Sequence, residues 1–325
     1  MHKSKHPESH WGATVIRIIL QNMRKVIGVG ETVLDIIFKK EKPVSAVPGG
    51  STFNAIVSLG RSGVPTTFIS EAGNDRVGDF VINFLKQNNI NADNVNKFPD
   101  SKTPLSLAFL DDNNDAEYIF YKDHPHDNLD FSYPEINNDD IVMFGSFYAV
   151  NPVIRSQVAA FLDFAKSHGA IIYYDVNYRA SHRNDVIKIR ANLLENLEYC
   201  DIVRGSVDDF EVLFGHSDAD KIYRSDISFY TRNFILTQGA KSVELRANGI
   251  SKSYPVERME TVSTIGAGDN FNAGLVYGMI KNNVTKQQIA DGMPEALWDK
   301  LIASAQQFAG ECCKSIYNYI EGVRS

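Results

Sequence analysis

Apolar positions in this 325-residue chain fall into short blocks whose spacing alternates between that of strands and that of helices. Val26–Val29 reads as a short buried strand ended by Gly30. Pro48-Gly49-Gly50-Ser51 reads as a turn, and apolar residues at 53, 56, 57 and 59 form a helical stripe closed by Gly60 and Gly63. Thr66–Ser70 predicts a strand and Val77–Gln87 an amphipathic helix. Leu105–Leu110 and Tyr118–Tyr121 flank the polar run 111–115 and predict a β-hairpin.

From Ile141 the rhythm becomes strand, helix, strand. Strands are predicted at Ile141–Phe144, Ala170–Tyr174, Asp201–Val203, Phe234–Thr237 and Val243–Arg246. Helices are predicted at Val153–Ser167, Val186–Leu197, Val207–Phe214, Phe271–Lys281 and Leu297–Tyr319. Such alternation implies an α/β fold, a largely parallel sheet covered by helices on both faces. The early hairpin and the segment after Asp35 break the rhythm and predict a small β flap standing off the main sheet. Ligands of open parallel sheets bind beyond the carboxyl ends of the strands, where the polar motifs of this chain also fall.

Composition narrows the partners. The net charge of -7, without a dense Lys/Arg block, argues against a nucleic-acid partner. Ala13–Leu20 is apolar but is interrupted by Arg17 and too short to span a bilayer, so no membrane association is expected. Residues 1–22 read as an N-terminal extension and 23–325 as the folded domain. The three cysteines, Cys200, Cys312 and Cys313, form neither a disulfide framework nor a metal spacing, which fits reduced thiols in the cytoplasm. His124-Pro125-His126 has no further ligand near it in sequence and reads as a loop.

The strongest chemical pattern is Thr264-Ile265-Gly266-Ala267-Gly268-Asp269 ahead of a helical run. Its glycines let the backbone approach a ligand, and first-turn amides of a helix favour a phosphate. Asp269 stands where it could take a proton from an attacking hydroxyl, although the same pattern also serves an ordinary capped helix start. Gly49-Gly50-Ser51-Thr52-Phe53-Asn54, with Asp35, offers the acceptors and donors that a polyol needs, or a plain turn with an N-cap. Asp175-Val176-Asn177-Tyr178-Arg179 ends a strand with a carboxylate, an amide and a guanidinium, either for a ligand or for a loop ion pair. Thr237-Gln238-Gly239 is a strand-end turn of the kind that borders a nucleotide. Gly28-x-Gly30 lacks the third glycine of a dinucleotide fingerprint, since position 33 is Val, and no P-loop is present.

Gly49-Gly50-x-x-x-Asn54 with Gly60-x-x-Gly63, then Gly73-Asn74-Asp75-x-x-Gly78, then Thr264-x-Gly266-Ala267-Gly268-Asp269-x-Phe271 resemble the signatures of the ribokinase/PfkB carbohydrate kinases. The resemblance runs from about Val26 to the last helix, and the 175–179 segment looks like that of fructokinases and 2-keto-3-deoxygluconate kinases. It implies a ribokinase-like three-layer α/β/α domain with a β-flap lid, its strands near 36–47 and 103–122. It implies ATP as phosphoryl donor, Mg²⁺, a monovalent cation, and fructose or a related ketose or sugar acid as acceptor. Asp269 would be the general base, and Gly266, Ala267 and Gly268 the anion hole. Asp35, Gly50, Asn54 and Arg179 would hold the sugar. Thr237, Gly239 and Ser206 would border the nucleotide, with Asp209 on the metal side. A homodimer through the lid strands also follows from the resemblance.

The chain departs from the pattern on the nucleotide side. Ser263 stands where the family usually has Asp, and Ser206-Val207-Asp208-Asp209 stands for Asn-x-x-Glu. These departures motivate a second reading, a non-catalytic sugar sensor of the same fold. A nucleoside kinase is a third.

Overall fold

In the computed structural model, the described residues are 24–110, 116–122, 133–178 and 185–322. The strands, in chain order, are β1 (Val26–Val29), β2 (Val33–Lys39), β3 (Lys42–Gly49), β4 (Thr66–Gly73), β5 (Ile90–Asn91), β6 (Val95–Phe98), β7 (Leu105–Leu110) and β8 (Ala116–Tyr121). They continue with β9 (Ile141–Gly145), β10 (Ile171–Asp175), β11 (Ile202–Ser206), β12 (Asn233–Thr237), β13 (Ser242–Ala247) and β14 (Ile250–Pro255). The helices are α1 (Ser51–Arg61), α2 (Arg76–Gln87), α3 (Ser146–Val150), α4 (Arg155–Ser167), α5 (Val186–Tyr199) and α6 (Val207–Phe214). Then come α7 (Ala219–Ile222), α8 (Ala267–Lys281), α9 (Lys286–Asp291) and α10 (Glu295–Cys312).

The main sheet has ten strands in the order β14-β13-β12-β11-β10-β9-β1-β4-β5, with β6 also paired to β4. From β12 to β5 the neighbours are parallel, and the pairs β12–β13 and β13–β14 are antiparallel. Alternate side chains along each strand serve two cores. Val26, Ile141, Met143 and Tyr173 pack with α1, α8 and α10 on one face. Ile27, Val142, Phe144 and Tyr174 pack with α4, α5 and α6 on the other. A sheet buried on both faces needs this continuous apolar character, which is why its strands read as short runs.

A second sheet of four strands, β3-β2-β7-β8, forms the lid. Strand β2 pairs antiparallel with β3 and parallel with β7, and β7 pairs antiparallel with β8. Its small core of Ile37, Val47 and Ala108 faces inward with Asp35, which occupies an inward position in an otherwise apolar strand.

The expected helix Leu297–Tyr319 is shorter at its C-terminal end. Helix α10 ends at Cys312, and turns at Lys314 and Ser315 redirect the chain toward α1. The physical reason is a set of competing tertiary bonds: Ile320 N–H donates to Ser58 Oγ at 3.2 Å, and the Asn318 carbonyl accepts from Asn270 Nδ2 at 2.8 Å. The lone strand expected at Thr66–Ser70 extends to Gly73. Strands β5, β6 and β14 and helices α3, α7 and α9 are too short to show a clear periodicity in the sequence. The segments 1–22, His124–His126 and Arg179 lie outside the described residues.

Helices α8 and α10 pack closely against each other. A Cβ built on Gly274 would stand 2.5 Å from the Ser304 carbonyl oxygen and 2.8 Å from the Phe308 Cβ. Gly274→Ala therefore forces the two helices apart, and denaturant unfolding should show a loss of about 1–3 kcal/mol.

Candidate active site

Five of the expected residues, Asp35, Gly50, Asn54, Gly266 and Asp269, line one cavity beneath the lid. Glu31, Ser51, Ser146, Asn318, Tyr118 and Phe120 complete much of its wall. The cavity opens where β1 and β9 end, as the sheet topology requires. The floor is built by the N-termini of two helices. Gly50, at φ 128°, turns the chain from β3 into α1, a conformation that L side chains rarely adopt. Gly266, in the left-handed region at φ 77°, turns the chain into α8 and leaves Asp269 in the first helical turn.

Asp269 is held across the gap between these helices. Its Oδ1 accepts from Ser51 Oγ at 2.8 Å and its Oδ2 from Asn54 Nδ2 at 2.8 Å. The positive end of α8 favours its negative charge. On the lid side, Asp35 accepts from Asn318 Nδ2 at 2.9 Å and from Ser106 Oγ in a short hydrogen bond. Asp35 and Ser106 are direct partners in the β2–β7 register. Lys122, at the exit of β8, bonds Glu31 Oε2 at 2.5 Å and ties the lid to the sheet.

A buried polar chain lies beneath the glycine-rich turn and reaches Thr237 at the end of β12. Arg204 Nη1 bonds Asp175 Oδ1 at 2.9 Å, and Nη2 bonds Thr237 Oγ1 at 2.7 Å. The other oxygen of Asp175 accepts from Asn272 Nδ2 at 2.8 Å, and Asn272 in turn accepts from the Tyr173 hydroxyl at 2.7 Å. A Cβ on Gly268 would stand 3.1 Å from Arg204 Nη2, so the guanidinium lies directly under the glycine-rich turn. Burial opposes the charge of Arg204, but Asp175, with Tyr173 and Asp209 beyond it, holds its pKa above the ordinary value.

Asp209 closes on its own helix. It accepts from Ser206 N–H at 2.6 Å and Ser206 Oγ at 2.8 Å in a capping box, and from Tyr178 N–H at 2.7 Å. Burial, reinforced by the charge of Asp175, pushes its pKa up to about 6 against the pull of those hydrogen bonds. Gly239 sits in the turn after β12 at φ 57°. Among the described residues, no cluster of three or more His, Cys, Asp or Glu side chains is poised to hold a metal ion, and no helix is long and apolar enough to cross a membrane.

The description "pfkB family carbohydrate kinase" matches residues 23–296. The chain belongs to this family. The kinase is 26% identical to a fructokinase of Rhizobium leguminosarum over 84% of the chain and 85% of that protein. A probable chloroplastic fructokinase of Arabidopsis thaliana is 27% identical over 77% of the chain, which spans 66% of that relative's length. A 5-dehydro-2-deoxygluconokinase of Geobacillus thermodenitrificans is 26% identical over 71% of the chain and 72% of that protein. Among solved structures, a Vibrio cholerae fructokinase with fructose, ADP and calcium bound shares the fold at a TM-score of 0.79 and 19% identity, covering 91% of the chain and 94% of that structure. An aminoimidazole riboside kinase of Salmonella enterica shares it at 0.75 and 20%, covering 90% and 95%. The kinase is thus a phosphotransferase with an alcohol group as acceptor and has the ribokinase-like α/β architecture.

Several residues at this site were not singled out by the sequence: Ser51, Ser106, Arg204, Asn272 and Asn318. Ser106 left a trace as the one polar position in the run Leu105–Leu110. Arg204 left none, because a basic residue at a strand end is ordinarily solvated.

Removing the cation from the buried pair leaves Asp175 charged and unpaired. Arg204→Met should cost about 3–5 kcal/mol in denaturant unfolding, and Arg204→Met combined with Asp175→Leu should recover much of it.

Proposed function

We propose that this kinase transfers the γ-phosphoryl group of ATP to a hydroxyl of a neutral sugar, fructose or a related ketose, with Asp269 as general base. The observation that carries the reading is the Asp269 carboxylate, fixed by Ser51 and Asn54 on the cavity floor, one residue from the glycines of the α8 turn. An acceptor hydroxyl bound there gives its proton to Asp269 as its oxygen bonds to phosphorus and the bond to ADP breaks. Asp269 then returns the proton to solvent. The first-turn amides after Gly266 point at the charge that gathers on the transferred group, and Arg204 lies under them.

The acceptor is read from the cavity's charge. Glu31, Asp35 and Asp269 are three carboxylates in its lining, Glu31 ion-paired with Lys122, and no Lys or Arg among the described residues is itself in the lining. A sugar acid would meet them as a like charge, whereas a neutral polyol supplies hydroxyl donors to each. Tyr118 and Phe120, stacked at 5.8 Å between ring centroids, offer an apolar surface to a sugar's C–H face. The nucleotide would lie along the ends of β11 and β12, against Ser206, Thr237 and Gly239. The residues there fit a hydrated magnesium ion more than a directly bound one, because the Asp209 carboxylate already accepts three hydrogen bonds from the chain. Such an ion, carried by the phosphates and reached by Asp209 through water, would neutralise phosphate charge. The apolar outward rows of the lid, Ile36-Leu107-Ile119 and Phe38-Phe109, support pairing of two copies through the lid strands.

A coupled ADP-release assay over ketoses, aldoses, sugar acids and nucleosides tests the acceptor. Ketoses should turn over and sugar acids should not. Turnover of a sugar acid or a nucleoside in preference to ketoses defeats the assignment. Asp269→Asn should lower kcat by about 10²–10⁴-fold with sugar affinity within a few fold of wild type. Wild-type turnover by that variant would remove Asp269 from the role of base.

A further inference from the structure

We propose that Asn318, from the segment after α10, is a specificity residue of the sugar site that accepts a hydrogen bond from a substrate hydroxyl. The inference rests on the sugar-kinase reading and adds a residue that the glycine-rich motifs do not contain. Two asparagines line the cavity, Asn54 and Asn318. Each gives its amide N–H to a carboxylate, Asn54 to Asp269 and Asn318 to Asp35, at 2.8 Å and 2.9 Å. Each thereby turns its amide oxygen away from that carboxylate, and both oxygens, Asn54 Oδ1 and Asn318 Oδ1, are buried without a hydrogen-bond partner. Asn318 is only 1% exposed. A buried amide oxygen without a donor is costly, and two of them on residues that line one cavity point to an occupant rich in O–H groups.

The backbone of Asn318 is fixed from both sides. Its carbonyl accepts from Asn270 Nδ2 in α8 at 2.8 Å, and two residues on Ile320 N–H donates to Ser58 Oγ in α1 at 3.2 Å. Gly266 packs onto it so closely that a Cβ there would stand 2.5 Å from the Asn318 carbonyl oxygen. The side chain is therefore aimed by the same two helices that aim Asp269. Gly49 leaves room for the pair, since a Cβ at that position would collide with Asp35 Oδ2 and stand 3.3 Å from Asn318 Nδ2. Asn318 is thus placed to hold Asp35 and to read one hydroxyl at once.

The test uses the full chain, with D-fructose and its monodeoxy analogues as probes, binding measured by calorimetry and turnover by ADP release. Asn318→Ala should raise the KM and Kd for fructose at least about tenfold while KM for ATP and kcat stay within about threefold. One deoxy analogue should bind wild type and Asn318→Ala equally, because the missing hydroxyl and the missing oxygen are partners. Fructose affinity within about twofold of wild type, or equal losses for fructose and ATP, overturns the proposal. Where Asn318→Ala does not fold, Asn318→Ser is measured in the same way, and the same outcomes support or overturn the proposal. Binding that depends on Asn318 without ADP release would leave the proposal standing and defeat the kinase reading. ADP release with binding indifferent to Asn318 does the reverse.

Discussion

The contact between the first turns of α1 and α8 is the constraint that the rest of the molecule serves. These turns come from opposite ends of the chain, yet Ser51 and Asn54 reach the two oxygens of Asp269. One turn deeper, Ser58 Oγ donates to Asn270 Oδ1 at 2.5 Å, so the polar seam continues into the core. Buried hydrogen bonds of this kind are strong in the low local dielectric and expensive to break singly, which makes the seam rigid. Rigidity is what a base needs if it is to meet a hydroxyl at one place. Helix α10 packs close against α8 and keeps it pressed onto the sheet.

Charge is arranged in layers around that seam. The cavity face is acidic, with Glu31, Asp35 and Asp269, and the layer beneath the α8 turn holds the cation of Arg204. A neutral polyol, the proposed acceptor, would meet this acidic layer with hydroxyls able to donate to the carboxylates. In the proposed reaction the transferred group would gather negative charge above Gly266–Gly268, where the first-turn amides of α8 and the buried Arg204 guanidinium lie. One site can in this way accept hydroxyl donors and stabilise an anion a few ångströms apart. Asp175 keeps Arg204 in place and neutralises part of its charge in the ground state.

Much of this arrangement was legible because its signals are local. The two glycine-rich turns carry their own backbone demands, and Asp269 follows one of them by a single residue. Asp35 was legible only as a carboxylate to set beside the Gly49–Asn54 turn, and its inward place in β2 came from the lid's strand pairing. Asn318 was not legible, because Cys312, Ile316, Tyr319 and Ile320 continue the spacing of a helical stripe and no glycine or proline interrupts it before Gly322. What ends α10 is tertiary: Ser58 and Asn270 draw the backbone groups of Ile320 and Asn318 away from the helix. Arg204 was hidden for the related reason that its partners, Asp175 and Thr237, come from neighbouring strands distant in sequence. The Ser206–Asp209 departure was visible in the sequence, but its closure into a capping box depends on how the turn before α6 folds.

The lid owes its register to pairs that the chain makes late. Strands β2 and β7 run parallel side by side, yet Asp35 and Ser106 are separated by 71 positions, and β4, α2, β5 and β6 all fold between them. A parallel pair closed over so long a connection carries a loop-closure cost that a short hairpin avoids, and the elements folded between the two strands help to offset it. The lid's core is only Ile37, Val47 and Ala108 with two flanking side chains, so the cavity roof rests on far less buried apolar surface than the two cores of the main sheet.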